Sequence, residues 1–76
     1  MEVDLNDLYY FVQVVDHGGY AAASRALGIT KSKPSRRILD LEDLLGVRLI
    51  QRSTRQFKIT NVGIRYYQHC QAMLTE

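Results

Sequence analysis

The chain has 76 residues, of which 46% are hydrophobic, and a formal net charge of +2. This length allows one small domain, the apolar content is too high for a disordered chain, and no apolar run approaches the roughly 20 residues of a membrane-spanning helix. The single cysteine, Cys70, excludes an internal disulfide, and the acidic N-terminus does not resemble a signal peptide. We therefore expect one cytoplasmic domain without a membrane segment.

Two helices are predicted in the first part of the chain. The first begins after Asp4, whose carboxylate can accept hydrogen bonds from the free amides of the first turn, and it ends at Gly18. Its apolar residues recur at steps of three and four, as a helix with one buried face requires: Leu5, Leu8, Val12 and Val15. The second helix runs from about Tyr20 to Leu27, is rich in alanine, and ends at Gly28.

A third helix follows after a short turn that begins at Gly28, and it runs to Leu45. Two helices joined in this way are typical of a helix-turn-helix. Because proline has no amide hydrogen and disfavours the α conformation at the residue before it, Pro34 predicts that the hydrogen-bonded helix begins near Ser32. The segment from Thr30 to Lys33 would then form a tight turn or a 3₁₀ segment, with the proline ring filling an apolar position.

The periodicity then changes from helical to extended. Two short strands, Leu49–Gln51 and Phe57–Ile59, flank a polar connection suited to a hairpin tip. Thr60 caps a last helix that still continues where the chain ends, so we expect a fragment cut inside a helix. The predicted fold is mainly α. A winged helix-turn-helix of three helices and a two-stranded wing occupies residues 1–60, and a long linker or dimerisation helix starts within residues 61–76.

Positive charge is concentrated on the two elements that a winged helix presents to a ligand. Eight of the ten Lys and Arg residues lie between positions 31 and 58, whereas residues 1–30 contain four acidic residues against Arg25. An α-helix fits the major groove of B-DNA, and wing arginines, here Arg52 and Arg55, can reach phosphates or the minor groove. This pattern favours nucleic-acid binding over the alternative that the cations only solvate the surface.

A family resemblance runs through about three quarters of the chain. The residues that carry it are Leu5-Asn6-Asp7-Leu8, Phe11, Gly18-Gly19-Tyr20, Ala22-Ala23, Ala26-Leu27-Gly28, Ser35-Arg36-Arg37-Ile38, Leu41-Glu42, Leu45-Gly46-Val47, Leu49, Arg52 and Thr60-Asn61-Val62-Gly63. In this order, from Asn6 through Gly63 and without a gap, the chain resembles the N-terminal DNA-binding domain of the LysR-type bacterial transcriptional regulators.

The resemblance implies a function and a set of partners. LysR-type regulators bind a pseudo-palindromic operator in double-stranded DNA, as activators or repressors, with the third helix in the major groove and the wing at the minor groove. They pair as homodimers or tetramers through the last helix of this region, and a C-terminal domain, absent from this chain, binds a small-molecule co-inducer. The predicted DNA-binding residues, which combine the matching positions with neighbouring cations, are Lys31, Ser32, Lys33, Ser35, Arg36, Arg37, Arg52 and Arg55.

Four positions depart from the family pattern and bear on the target sequence. Lys31 stands where the family often has Gln, and Lys favours guanine or phosphate where Gln reads adenine. Ser32 stands where Pro is frequent, Pro34 replaces an aliphatic residue, and Gly19 replaces a capping Ser. We therefore expect the family fold with an operator sequence of its own.

The last helix contains the predicted dimerisation residues, Tyr67, Cys70 and Leu74, because an isolated helix needs a partner for its apolar side. The alternatives are a cofactor-binding stripe and, for Cys70, a redox-sensing thiol. His69 and Cys70 are adjacent, so on a helix they point in different directions and form a poor metal pair. We predict neither a metal nor a cofactor.

An enzyme is not expected, because the chain has no Ser-His-Asp set, no Gly-rich phosphate loop, and no paired carboxylates with an evident cleft. RNA binding is a further alternative, and so is a winged helix that binds protein. A protein-binding version would expose apolar or aromatic anchors between Lys31 and Arg37, where this chain has mostly Lys, Ser and Arg. The sequence therefore favours a transcription regulator that binds DNA.

Overall fold

The structure is a computed structural model that describes residues 4–51 and 56–74. This part of the chain consists of four helices and a two-stranded antiparallel sheet. In chain order the elements are α1 (Leu5–His17), α2 (Tyr20–Leu27), α3 (Ser32–Leu45), β1 (Ile50–Gln51), β2 (Lys58–Ile59) and α4 (Asn61–Leu74). In the sheet, Ile50 lies opposite Ile59 and Gln51 lies opposite Lys58. The predicted fold class, a mainly α winged helix-turn-helix, is confirmed.

Helix α1 is central to the domain and packs against α2, α3 and α4. It begins as predicted, since the Asp4 carboxylate accepts a hydrogen bond of 2.8 Å from the Asn6 amide. It ends at Gly18, whose φ of 77° is the left-handed conformation that a side chain resists. Every helix contributes to the core around α1, where the side chains without exposed surface are Phe11, Val14, Ala23, Ile38, Leu41, Leu49 and Cys70.

The start of α3 is as predicted from Pro34. The helix begins at Ser32, and the Lys33 amide donates to the Thr30 carbonyl over 3.2 Å, a bond of the 3₁₀ type. In a regular α-helix the Thr30 carbonyl would accept from the amide of residue 34, which in proline has no hydrogen. The Lys33 amide donates to that carbonyl instead, so the carbonyl keeps a hydrogen-bond partner. The Pro34 ring is fully buried, which confirms its apolar role.

Helix α4 is attached by its first turn to the segment that leads into β1. The Thr60 hydroxyl donates to the Arg48 carbonyl over 2.6 Å, and the Thr60 amide donates to the Leu49 carbonyl over 3.0 Å. The same hydroxyl accepts from the Gly63 amide over 2.9 Å, which confirms Thr60 as the helix cap. Gly63 is required by the close approach, since a Cβ there would lie 2.1 Å from the Leu49 oxygen. These backbone contacts determine the direction of α4.

A buried carboxylate attaches the wing to the C-terminal part of α3. Glu42 is only 2% exposed, and one of its oxygens accepts from the amides of Leu49 and Ile50 over 2.7 and 3.1 Å. Its other oxygen lies 3.5 Å from the Arg48 guanidinium. Because the same helix presents basic residues at its opposite end, this attachment holds the wing in a fixed relation to them.

Candidate nucleic-acid interface

The predicted residues of α3 lie along its N-terminal part. Lys31, Ser32, Lys33 and Arg36 are exposed, and Ser35 is half-buried. The helix-turn-helix therefore presents three cations and two hydroxyls together, while the opposite side of α3 enters the core. Cations and hydroxyls are the donors that proteins use toward phosphate oxygens and base edges.

Arg36 is available to a ligand. Its side chain is 80% exposed, and its guanidinium lies 3.9 Å from the carboxylate of Asp40 one helical turn later. Exposed pairs of this kind contribute between about 0 and 1 kcal/mol and are easily exchanged for a stronger anion. Asp40 therefore orients Arg36 without withholding its charge.

Arg37 faces α1, unlike its neighbour Arg36. Its guanidinium lies 3.5 Å from the carboxylate of Asp7, and the two side chains are 40% and 10% exposed. Burial raises the pKa of Asp7, and the positive charge of Arg37 opposes that rise. DNA contact by Arg37 stays a prediction, and the structure gives this residue a contact inside the domain.

The predicted wing contacts, Arg52 and Arg55, lie outside the described residues. The base of the wing is described, and it packs against the start of α2. There the ring of Tyr20 meets the ring of Phe57 edge-on, with centroids 6.2 Å apart and an interplanar angle of 87°. This contact fixes the wing base beside the helix-turn-helix.

A concave groove of about 780 Å³ opens between the start of α2, the start of α3 and the wing base. Three predicted residues line it, Lys31, Ser32 and Ser35. Arg25 of α2 and Gln51 of β1 also line it, although the sequence does not single them out. The fold thus brings donors from three separate elements to one surface.

The distribution of charge along the sequence does not identify Arg25 as a binding residue, because residues 1–30 carry a net negative charge. The signal that identifies it is its place on α2. Ala23 and Ser24 are buried, whereas Ala21 and Arg25, one turn apart, are exposed. The single cation of this segment therefore projects from the outer side of a helix whose other side is in the core.

The predicted dimerisation residues do not form one exposed surface. Leu74 is 37% exposed, and the hydroxyl of Tyr67 donates to the carboxylate of Asp16 near the end of α1. Pairing of two chains through Cys70 stays a prediction, and in this chain Cys70 is fully buried in the core of its own domain. The reason is that Gly63, two turns earlier on the same face of α4, is drawn against the segment before β1.

The burial of Cys70 also bears on its chemistry. Burial raises the pKa of the thiol to about 11, so the reactive thiolate is scarce at neutral pH. This disfavours the alternative of a redox-sensing thiol.

Within residues 4–51 and 56–74, no three side chains of His, Cys, Asp or Glu are grouped so that they could hold a metal ion. Nowhere in the same ranges does a helix combine the length and apolar character needed to cross a bilayer.

Known proteins share both the sequence and the fold. Residues 5–64 match the family described as bacterial regulatory helix-turn-helix proteins, lysR family. An HTH-type transcriptional regulator from Xanthomonas campestris pv. campestris (strain 8004) is 43% identical over 76 residues, which are 100% of this chain and 22% of that protein. The probable HTH-type transcriptional regulator LtrA from Klebsiella pneumoniae is 46% identical over 70 residues, which are 92% of this chain and 23% of that protein.

A solved structure agrees in fold. The crystal structure of the BenM DNA-binding domain in complex with catB site 1 DNA matches with a TM-score of 0.90 and 36% identity, covering 95% of this chain and 77% of that chain. The present chain thus spans less than a quarter of the two curated relatives, in the region that corresponds to a helix-turn-helix domain. It belongs to the lysR family of bacterial regulatory helix-turn-helix proteins.

Proposed function

We propose that this chain is the DNA-binding part of a transcription regulator and that it binds a pseudo-palindromic operator in double-stranded DNA. The observation that supports this most is the joint exposure of Lys31, Lys33 and Arg36 on the first turns of α3, beside a wing attached to the same helix. The relative of the same fold that was crystallised with DNA supports the same ligand. The named relatives are transcriptional regulators, and we propose that this chain too acts by binding and not by catalysis.

The proposed docking places the start of α3 in the major groove. A helix N-terminus in that position directs its first residues toward base edges, where Lys31 and Arg36 suit guanine or a phosphate. The hydroxyls of Ser32 and Ser35 can donate to a phosphate oxygen, and they can donate to or accept from a base edge. The wing would then lie along the minor groove, with Arg55 as its entering side chain and Arg52 on the flanking phosphates.

The organisation of the whole protein is proposed with the same reasoning. Residues 1–60 would be the DNA-binding domain, and residues 61–76 would start the helix that joins two chains. The exposed apolar side chains of α4, among them Met73 at 46% and Leu74 at 37%, offer the surface for pairing. A co-inducer would bind elsewhere in the full-length protein, and the regulator would act on DNA in the cytoplasm.

A salt titration tests the proposal. If a dimer neutralises roughly 6–10 phosphates, the logarithm of the binding constant should fall against the logarithm of salt concentration with a slope of about −5 to −9. Fluorescence anisotropy of a labelled duplex between low and moderate salt gives this slope. An RNA hairpin of equal charge is the matched competitor. A flat response, or preference for the RNA, would overturn the proposed function.

A further inference from the structure

The hydroxyl groups of Thr30 and Ser32 form a pair at the turn that leads into α3. Their oxygens lie 3.3 Å apart, and both residues are exposed. Either hydroxyl can be the donor in this pair. When Thr30 donates, the hydrogen of Ser32 is left for an external acceptor, and the first hydrogen bond polarises the second. The pair can therefore act as one donor whose direction is set by Thr30.

The pair follows from the way Pro34 changes the start of α3. At an ordinary helix start, a threonine in the place of Thr30 accepts from the amide three residues later with its side-chain oxygen. That amide belongs to Lys33, and here it donates to the Thr30 carbonyl over 3.2 Å, because residue 34 has no amide hydrogen to offer this carbonyl. The N-cap residue, Lys31, makes no side-chain cap hydrogen bond to the described part of the chain. The Thr30 hydroxyl is therefore left to bind Ser32.

Ser32 lies at the centre of the exposed basic surface. It borders the groove of about 780 Å³ together with Lys31, and it borders a smaller concavity of about 390 Å³ together with Lys33 and Arg36. Thr30 borders neither of them, although it belongs to the described part of the chain. The Ser32 hydroxyl thus lies among cations that attract an anionic ligand, and Thr30 is placed to act on that ligand through Ser32.

We propose that Thr30 is a positioning residue of the DNA-binding surface, that it holds the Ser32 hydroxyl in the direction of DNA, and that Pro34 makes this pairing possible. The proposal deepens the proposed function and rests on it. A serine side chain has three staggered rotamers, and a hydrogen bond that holds one of them reduces the entropy lost when DNA binds. Thr30 therefore raises the affinity for DNA without a contact of its own.

The first test is a double-mutant cycle in the full-length protein, with the tightest duplex recovered from a random pool. Thr30→Val removes the hydroxyl and keeps the shape of the side chain, and Ser32→Ala removes the group that is oriented. We expect Thr30→Val to weaken binding about threefold and Ser32→Ala about tenfold, and the double variant to bind as weakly as Ser32→Ala alone. Thr30→Ser should bind like wild type. Wild-type affinity in Thr30→Val, or losses that multiply to about 30-fold in the double variant, would overturn the proposal.

Ser35→Ala gives the matched control, since Ser35 is a second serine of the same surface and lies beyond Pro34. Thr30→Val should weaken binding in the Ser35→Ala background by the same factor as in the wild type. If Ser35→Ala abolishes the effect of Thr30→Val as Ser32→Ala does, the action of Thr30 is not specific to Ser32 and the proposal fails.

The second test concerns the origin of the pair. Pro34→Val supplies the missing amide to the Thr30 carbonyl, which frees the Lys33 amide for the Thr30 hydroxyl and breaks the pair. In this background Thr30→Val should no longer weaken binding, and Pro34→Ala, which supplies the same amide, should give the same result. Thermal unfolding shows whether both variants fold. A persistent effect of Thr30→Val in a folded background would overturn the role of Pro34. Failure of the proposed function is a separate result, because the wild type would then not bind duplex DNA at all.

Discussion

The guanidinium of Arg37 lies 3.5 Å from the carboxylate of Asp7, so an ion pair joins α3 to α1 beneath the exposed basic surface. Asp7 is 7% exposed as a residue, and its Oδ1 atom has no hydrogen-bond partner within residues 4–51 and 56–74, which leaves Arg37 as the compensating charge. A buried charge that loses its partner is costly. Arg37 is therefore important to the stability of the domain whether or not it also reaches DNA.

Changing Arg37 to Ala should destabilise the domain by about 1–2 kcal/mol at neutral pH, a value discounted because Arg37 is partly exposed. The loss should depend on pH. The folded state raises the pKa of Asp7 above 3.8, so it binds the proton more tightly than the unfolded state does. This contribution to stability is present at low pH and is lost as pH rises through the folded pKa.

Without Arg37 the pKa of Asp7 should rise further, and the loss of stability should extend to higher pH. Chemical unfolding at several pH values between 3 and 8 measures this. The gap between Arg37→Ala and wild type should narrow on acidification, and Asp7→Asn should remove the effect. If the difference in stability between Arg37→Ala and wild type stays constant across this pH range, the Asp7–Arg37 ion pair is not the cause of the destabilisation.

Glu42→Ala should destabilise the domain by about 2–4 kcal/mol, because the amides of Leu49 and Ile50 would lose their acceptor in a buried position. Glu42→Gln retains an oxygen for the amides and should cost less. Asp43→Ala, at the exposed neighbouring position, should stay within about 0.5 kcal/mol of wild type. Urea unfolding measures the stability of these three variants. Equal stabilities for Glu42→Ala and Asp43→Ala would refute the attachment of the wing to α3 by Glu42.

Gly63→Ala should cost about 2–3 kcal/mol although alanine favours helices, because the new Cβ would meet the Leu49 oxygen. Gln68→Ala, at an exposed position of the same helix, is the control and should be nearly neutral. Thermal unfolding measures the stability of Gly63→Ala and of Gln68→Ala relative to wild type. A stabilised Gly63→Ala variant would mean that α4 does not approach the Leu49 carbonyl before β1 as described.

Arg36→Ala and Arg55→Ala should weaken DNA binding in different ways. Arg36 lies on α3, so its loss should cost about 1–3 kcal/mol and relax the preference at one base position. Arg55 is proposed for the minor groove, so its loss should weaken most sites and change the preference at A·T-rich flanks. Competition with base-substituted duplexes separates these patterns. Equal losses on every sequence would indicate that both arginines contact only phosphate.

Local signals predicted most of the fold. Asp4 and Thr60 mark helix starts by their side-chain oxygens, Gly18 and Gly28 mark helix ends by their left-handed backbone, and the structure places the ends there. Pro34 predicted the start of α3 for the same reason, since the missing amide acts on the nearest turn.

Contacts between distant segments were not predictable in this way. The ion pair of Arg37 was not predicted, because its partner, Asp7, is thirty positions away and belongs to another helix. The burial of Cys70 within one chain was not predicted, because the pattern of α4 shows an apolar face but not what covers it, and α1 of the same chain packs against that helix. Arg25 was overlooked because a groove exists only after α2, α3 and the wing are assembled.

The most direct test of sequence-specific binding is selection of duplexes from a random pool by the full-length protein, followed by sequencing. We expect enrichment of two inverted half-sites with centres about one helical turn, near 34 Å, apart, as two copies of α3 in a dimer require. The Arg36→Ala variant should enrich the same half-sites with one position relaxed. Recovery of unrelated sequences after several rounds, with no motif shared among them, would contradict recognition by α3.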